Sequence, residues 1–227
     1  MNVAVLFSGG KDSCLATWYA LHQGWTVTRL LTAQPRTVDS WMFHYPTTEW
    51  VKLQAQAIGI PLHLFQPSEG EQSELRELSQ ALGELKKDGV EAVVSGAVAS
   101  DYQRRRIDHI CHELHLFSFA PLWQKDPRLL LRELLALKFE IYITGVSTMG
   151  LDTSWLGRLL DESAMKELLT LSERYFFHSA GEGGEYETFV TDGPFFHKKI
   201  CLGKTRKIVR GSTGHLVIEE ASLTDKI

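Results

Sequence analysis

Apolar and polar positions along the chain fall into two alternating kinds of block. Val3, Ala4, Val5, Leu6 and Phe7 form an uninterrupted apolar run, the pattern of a central parallel strand covered on both faces. Further short runs at 26–32, 62–65, 90–94 and 116–120 predict more strands. Between them, apolar residues recur at helical spacing. Leu15, Trp18 and Leu21 mark a helix over 13–23; Trp50, Leu53 and Ala57 mark one capped by Thr47 or Thr48. Leu75, Leu78, Leu82 and Leu85 are the buried stripe of a helix over 72–87, and Ile107, Ile110, Cys111 and Leu114 of another. Gly24, Gly59 with Pro61, and Gly89 punctuate the series. Strand and helix in strict alternation predict right-handed crossovers and a doubly wound parallel sheet, ending near residue 123.

The pattern then changes. Asp126-Pro127 signals a helix start running to about 138, followed by a strand over 140–144 and a turn region over 145–158 holding Gly145, Gly150 and Gly157. Met165, Leu168, Leu169 and Leu171 anchor one more helix, and short strands are expected at 189–192, 195–202, 206–210 and 215–219. The expected fold class is therefore α/β, a Rossmann-like doubly wound parallel sheet over 1–123 with a smaller C-terminal α+β domain over 124–227.

Chemistry enters where the first strand ends. In Ser8-Gly9-Gly10-Lys11-Asp12-Ser13 the glycines let backbone N–H groups converge on an anion. The following helix start contributes unpaired N–H groups and the positive end of its dipole. Lys11 adds full charge and the serines hydroxyl donors, while Asp12 suits either Mg²⁺ ligation or the helix start. The spacing is not that of the Walker loop. Because ligands of open α/β sheets sit at the carboxyl ends of strands, the turn after residue 94 should face the same crevice. Gly96 there can let backbone approach a nucleotide, and Ser100, Tyr102 and Gln103 enter the next helix. Arg104, Arg105 and Arg106 point in different directions around that helix, so one or two at most reach a common site. In the stretch 180–188, three glycines can bend the chain so that Glu182, Glu185 and Glu187 converge to bind Mg²⁺, hold an ammonium or abstract a proton; an exposed acidic loop is the other reading. His44 reads as a ligand, base or structural hydrogen-bonder, and Trp41, Met42 and Phe43 as a base-covering or a core segment.

Composition narrows the partners. Among 227 residues, charged ones make up 23% and the net charge is -4, which offers no general field for nucleic acid or anionic lipid. Met1 leads straight into the first strand without a charged leader or membrane-spanning run, so a cytoplasmic protein with no membrane partner is expected. Cys14, Cys111 and Cys201 are widely spaced, without the paired spacing of a zinc or thiolation site.

The string SGGKDS resembles the PP-loop of the N-type ATP pyrophosphatases, which cleave ATP between the α- and β-phosphates. DSWMFH at 39–44, GAVASDYQRRR at 96–106, PLW at 121–123, GLDTSWLGR at 150–158 and GEGGEYET at 181–188 then follow in one order, and the chain resembles the diphthine–ammonia ligases along nearly its whole length. The resemblance implies an adenine nucleotide alpha hydrolase type of fold. It also implies ATP-dependent amidation of the diphthine carboxylate on translation elongation factor 2 by ammonium, through an acyl adenylate, with ATP and Mg²⁺ as cofactors. With it, Ser8, Gly9, Gly10, Lys11, Asp12, Ser13, Gly96, Ser100, Tyr102 and Gln103 are expected on the nucleotide. His44, Arg104, Gly183, Gly184, Tyr186 and Thr188 are expected on the substrate, Asp12 on the metal, and Lys11, Asp12, Glu182, Glu185 and Glu187 in catalysis. No glutaminase segment is read in the chain, so free ammonium is the expected nitrogen source; homo-oligomerisation is left open. Two rival readings are an RNA-modifying PP-loop enzyme and a non-catalytic nucleotide-binding module of the universal-stress-protein type.

Overall fold

The computed structural model describes residues 1–34, 50–68 and 70–226. Trp41, Met42, Phe43, His44, Thr47 and Thr48, singled out above, lie outside these described residues. In chain order come β1 (Asn2–Leu6), α1 (Lys11–His22), β2 (Thr26–Ala33), α2 (Val51–Ile58), β3 (Leu62–Phe65), α3 (Glu71–Lys87), β4 (Ala92–Val94), α4 (Asp101–Glu113) and β5 (Phe117–Phe119). The five strands pair in parallel in the order β3-β2-β1-β4-β5. β1 is central, as its unbroken apolar run requires, and side-chain alternation splits it between two layers. Val3 and Val5 pack with Cys14, Leu15 and Ile58 of α1 and α2. Ala4 packs with Leu78, Leu82 and Ile110 of α3 and α4. The strand order reverses between β1 and β4, which puts a crevice beyond their carboxyl ends.

The chain continues through α5 (Pro127–Ala136), β6 (Glu140–Val146), α6 (Glu162–Tyr175), β7 (Tyr186–Asp192), β8 (Lys198–Leu202), β9 (Thr205–Arg210), β10 (Thr213–Ile218) and β11 (Ala221–Asp225). Asp126 caps α5 by accepting from the N–H groups of Arg128 and Leu129, with proline at the first helical position. An antiparallel sheet in the order β7-β6-β10-β9 and a two-stranded sheet of β8 and β11 complete the fold.

Three elements differ from the sequence expectation. α1 starts at Lys11, because Gly10 caps it without any side chain. Gly145 and Val146 do not open the turn region but continue β6, paired with Glu187 and Tyr186, so the acidic stretch is half loop and half strand. β11, sequence ASLTD, holds too little apolar residue to signal a strand and forms by pairing with β8.

One cluster of buried side chains runs through both halves of the chain, from Val3 and Leu30 to Leu130, Ile141, Phe189 and Ile200. Backbone and side-chain bonds follow it, as the His197 N–H donates to the Ala57 carbonyl and Trp50 Nε1 to the Ile218 carbonyl. Phe189→Ala should therefore destabilise the protein by about 3–5 kcal/mol. Urea unfolding should remain a single transition by fluorescence and circular dichroism. Two separated transitions would instead mark 1–123 and 124–227 as independent units.

Candidate active site

Strand β1 delivers Ser8 to the end of the sheet, and the two glycines turn the chain back into α1. Gly9 takes φ +79, and a Cβ there would lie 2.1 Å from Gln54 Oε1, so both the backbone angle and the neighbour require glycine. The Gly9 carbonyl is turned away from the turn's mouth, accepting from Gln54 Nε2 at 2.8 Å and from the Val190 N–H at 3.1 Å. The Lys11 N–H donates to Thr188 Oγ1 at 3.1 Å. Ser8 and Ser13 approach each other, Oγ to Oγ, at 3.2 Å. Asp12 and Ser13 occupy the first turn of α1, where N–H groups have no intrahelical acceptor.

A cavity of about 250 Å³ opens beyond this turn. Ser8, Gly10, Lys11, Asp12 and Ser13 form its floor. Leu31, Thr32 and Ala33 of β2, Phe65 of β3 and Ile107 of α4 form an apolar side. Glu182, Gly184, Tyr186, Glu187 and Thr188 face the floor from the other half of the chain.

Lys11 is the charge centre of this cavity, 3% exposed. Its Nζ donates to Asp12 Oδ2 at 2.8 Å and to the Ala180 carbonyl at 2.5 Å, and lies 5.1 Å from the Tyr186 ring centroid. Burial works against the ammonium, but the Asp12 carboxylate and further negative groups outweigh it and hold the group above the usual lysine value of 10.5. With the sign so, the stabilising charge is fully present below that value and is lost only as pH rises past the raised one. Tyr186, buried against Lys11, donates to the Ser179 carbonyl, and burial pushes its phenol above the ordinary range.

Of the three glutamates expected to converge, Glu182 and Glu187 reach the cavity and Glu185 does not. Glu182 Oε2 accepts from the N–H groups of Ala99 and Ser100, placing its charge at the positive end of α4. Glu185 folds back on its own loop, accepting from the N–H groups of His178 and Gly183, and does not line the cavity. Glu187 lies on β7 against Gly145 and does line it. Alternation along a strand and the pull of nearby unpaired N–H groups separate carboxylates that are close in sequence.

The turn after β4 also differs. Gly96 lines the cavity, and what its missing Cβ leaves room for is α1: a Cβ there would meet Asp12 C, Ser13 N and Asp12 O at 2.8, 2.9 and 3.0 Å. Gln103 lines the cavity, but Ser100 is the N-cap of α4, and Tyr102 stacks under the Arg106 guanidinium. Arg104 does not reach the cavity; it lies over the Trp123 ring and pairs with Asp108. Arg105 pairs with Asp101, and Arg106 with Glu71. Gly183 stays behind the rim, while Gly184 is on it. Sequence reasoning did not single out Gln54, whose only signal was an amide between the apolar positions of its helix. Nor did it single out Thr32 and Ser95, small polar residues at strand ends that become cavity wall.

Two family models match the chain, the Diphthamide synthase N-terminal domain over residues 1–118 and the Diphthamide synthase C-terminal domain over 126–224. The Rattus norvegicus and Homo sapiens proteins, both named diphthine–ammonia ligase, are 36% and 34% identical to it. Those matches cover 93% and 100% of this chain, and 86% and 94% of the relatives. A solved structure described as the predicted subunit of tRNA methyltransferase from Methanocaldococcus jannaschii is 16% identical, with a TM-score of 0.44 over 86% of this chain and 98% of that one.

Gly96→Ala should push the first turn of α1 off the β4 loop and destabilise the protein by about 1–3 kcal/mol, measured by urea unfolding. Unchanged stability would show that the turn tolerates the shift. Cys14 is buried, and burial pushes the Cys111 thiol up to about 12, whereas Cys201 is exposed. Iodoacetamide at neutral pH should label Cys201 alone; fast labelling of Cys111 would return a thiol to the chemistry.

Proposed function

The chain belongs to the diphthine–ammonia ligase family, and we propose that the cavity beyond its glycine turn is where ATP activates the diphthine carboxylate. The reaction is ATP-dependent formation of a carbon–nitrogen bond between that carboxylate and ammonia. The observation that carries the siting is that the anion-binding groups of the turn and two carboxylates from the other half of the chain, those of Glu182 and Glu187, line one cavity.

A carboxylate is a poor electrophile, so the chemistry divides into two steps. In the first, a carboxylate oxygen bonds to the α-phosphorus of ATP, the bond from that phosphorus to the bridging oxygen breaks, and pyrophosphate leaves with the electron pair. The apolar wall of Leu31, Ala33, Phe65 and Ile107 suits the adenine. Ser8, Gly10, Ser13 and the charged Lys11 face the phosphates, where their donors offset the charge that builds on the leaving group. In the second step, the ammonia lone pair attacks the acyl carbon, the carbon–oxygen bond to AMP breaks, and the surplus proton passes to a carboxylate. Glu187, on the cavity wall, is assigned that proton, with Glu182 beside it holding the α4 loop in place. Glu185 is assigned the shape of the loop.

Asp12 Oδ1 is buried with no hydrogen-bond partner among the described residues, while Oδ2 pairs with Lys11. An orphaned carboxylate oxygen beside the phosphate floor fits Mg²⁺, which favours one or two carboxylates plus phosphate oxygens and water. Among the described residues no group of three or more His, Cys, Asp or Glu could hold a metal, so substrate phosphates and water would complete the shell. Bound there, Mg²⁺ would supply charge neutralisation. The protein substrate is assigned as translation elongation factor 2, the nitrogen donor as free ammonium, and the location as cytoplasmic. Residues 1–123 are assigned to ATP and 124–227 to the protein substrate. No helix among the described residues is long and apolar enough to cross a membrane.

The test mixes the protein with ATP, Mg²⁺, ammonium and diphthine-bearing elongation factor 2, and measures AMP, pyrophosphate and the mass of the factor. AMP should form only with the factor, one per amide. AMP without the carboxylate-to-amide mass change would overturn the substrate, and no AMP at all would overturn the siting of ATP activation here. Lys11→Met should slow AMP formation about 100-fold or more. Glu187→Gln should slow amide formation while adenylation persists, and Glu187→Gln with full amidation removes that residue's role.

A further inference from the structure

Gln54 is fully buried on α2, and none of the chemistry above uses it. Its amide nitrogen donates to two backbone carbonyls at 2.8 Å each, that of Gly9 in the glycine turn and that of Val190 in β7. Its Oε1 has no hydrogen-bond partner among the described residues and abuts the α-carbon side of Gly9. A residue that merely filled the core would be apolar there, since burying an amide half-satisfied is unfavourable. What the amide does achieve is to direct one peptide group. In a trans peptide the carbonyl and the following N–H point in opposite directions. The Gly9 carbonyl is drawn inward by Gln54 and by the Val190 N–H. The Gly10 N–H must then point the other way, toward the cavity that Gly10 and Ser8 line. In keeping with that, its only partner among the described residues is a long 3.4 Å contact to Ser8 Oγ, a group a phosphate oxygen can displace.

We infer that Gln54 is a positioning residue for the pyrophosphate end of ATP, fixing the Gly9–Gly10 peptide so that its N–H is presented to phosphate. The inference rests on the siting of ATP proposed above. It separates the two products, because AMP binding draws on the apolar wall and the far side of the cavity, whereas pyrophosphate depends on the turn.

Two variants test it. Gln54→Met keeps length and approximate volume and removes both donated bonds; Gln54→Glu keeps the shape and sets a carboxylate against two carbonyl oxygens. For wild type and variants, the inhibition constants of pyrophosphate and of AMP and the KM for ATP are measured, with thermal melts as the check on folding. In Gln54→Met the pyrophosphate constant and the ATP KM should both rise about tenfold, the effect of losing one oriented hydrogen bond, while the AMP constant stays within about twofold. Gln54→Glu should show the same selective loss at pH 8 and regain pyrophosphate inhibition toward pH 5.5, where a protonated carboxyl can donate again. If pyrophosphate and AMP weaken together, or neither weakens, Gln54 does not position the turn. If neither variant folds, Gln54 is a structural residue and the inference fails; if only one folds, its ratio of the two constants decides. A wild-type protein that pyrophosphate does not inhibit would instead overturn the siting of ATP.

Discussion

The attachment of the glycine turn to β7 is the contact on which the rest of the site depends. The turn belongs to the parallel sheet and β7 to the antiparallel one, yet the Val190 N–H donates to Gly9, and the Lys11 N–H donates to Thr188. Two residues of the turn thus take backbone direction from a strand about 180 positions away in sequence. A glycine pair alone has too many accessible conformations to present N–H groups in one direction. Held between α2 and β7, it has one.

The same attachment concentrates charge. β7 is preceded by the loop that supplies the Ala180 carbonyl to Lys11 and ends in Tyr186, which closes over the ammonium. Lys11 is thereby removed from water, yet it keeps its charge because Asp12 and the carbonyl replace the lost hydration. A dry, charged lysine thus stands at a helix start, next to a carboxylate oxygen with no hydrogen-bond partner among the described residues. The shared core of Val5, Leu130, Ile141 and Phe189 beneath keeps both halves in register.

Charges elsewhere are used up locally. Arg104, Arg105 and Arg106, adjacent in sequence and suggestive of a basic surface, each pair with a different carboxylate around α4. This leaves no basic stripe on that helix for a nucleic acid to follow, in agreement with a net charge of -4. Glu182 and Glu185 are likewise taken up by backbone N–H groups. The loop owes its shape to them as much as to its glycines.

Much of the fold was readable from the chain alone, because hydrophobic periodicity, capping and turn residues act over a few positions. The central β1, the alternation through β5, the cap at Asp126-Pro127 and the glycine turn between β1 and α1 all follow from neighbours within one or two turns. The string of motifs was enough to indicate the family. What depends on distant partners was not readable. The carboxylates of 182–187 read as one cluster, and only strand pairing with Gly145 and the N–H groups before α4 and in the loop leave Glu182 and Glu187 on the cavity while turning Glu185 back on its own loop. Gly96 read as room for a nucleotide; it does line the cavity, but only the packing of α1 against the β4 loop shows that its missing Cβ makes room for Asp12 and Ser13. Gln54 carried only a faint signal. An amide between apolar positions of a helix gains meaning only when the fold sets two carbonyls, 9 and 190, on either side of it.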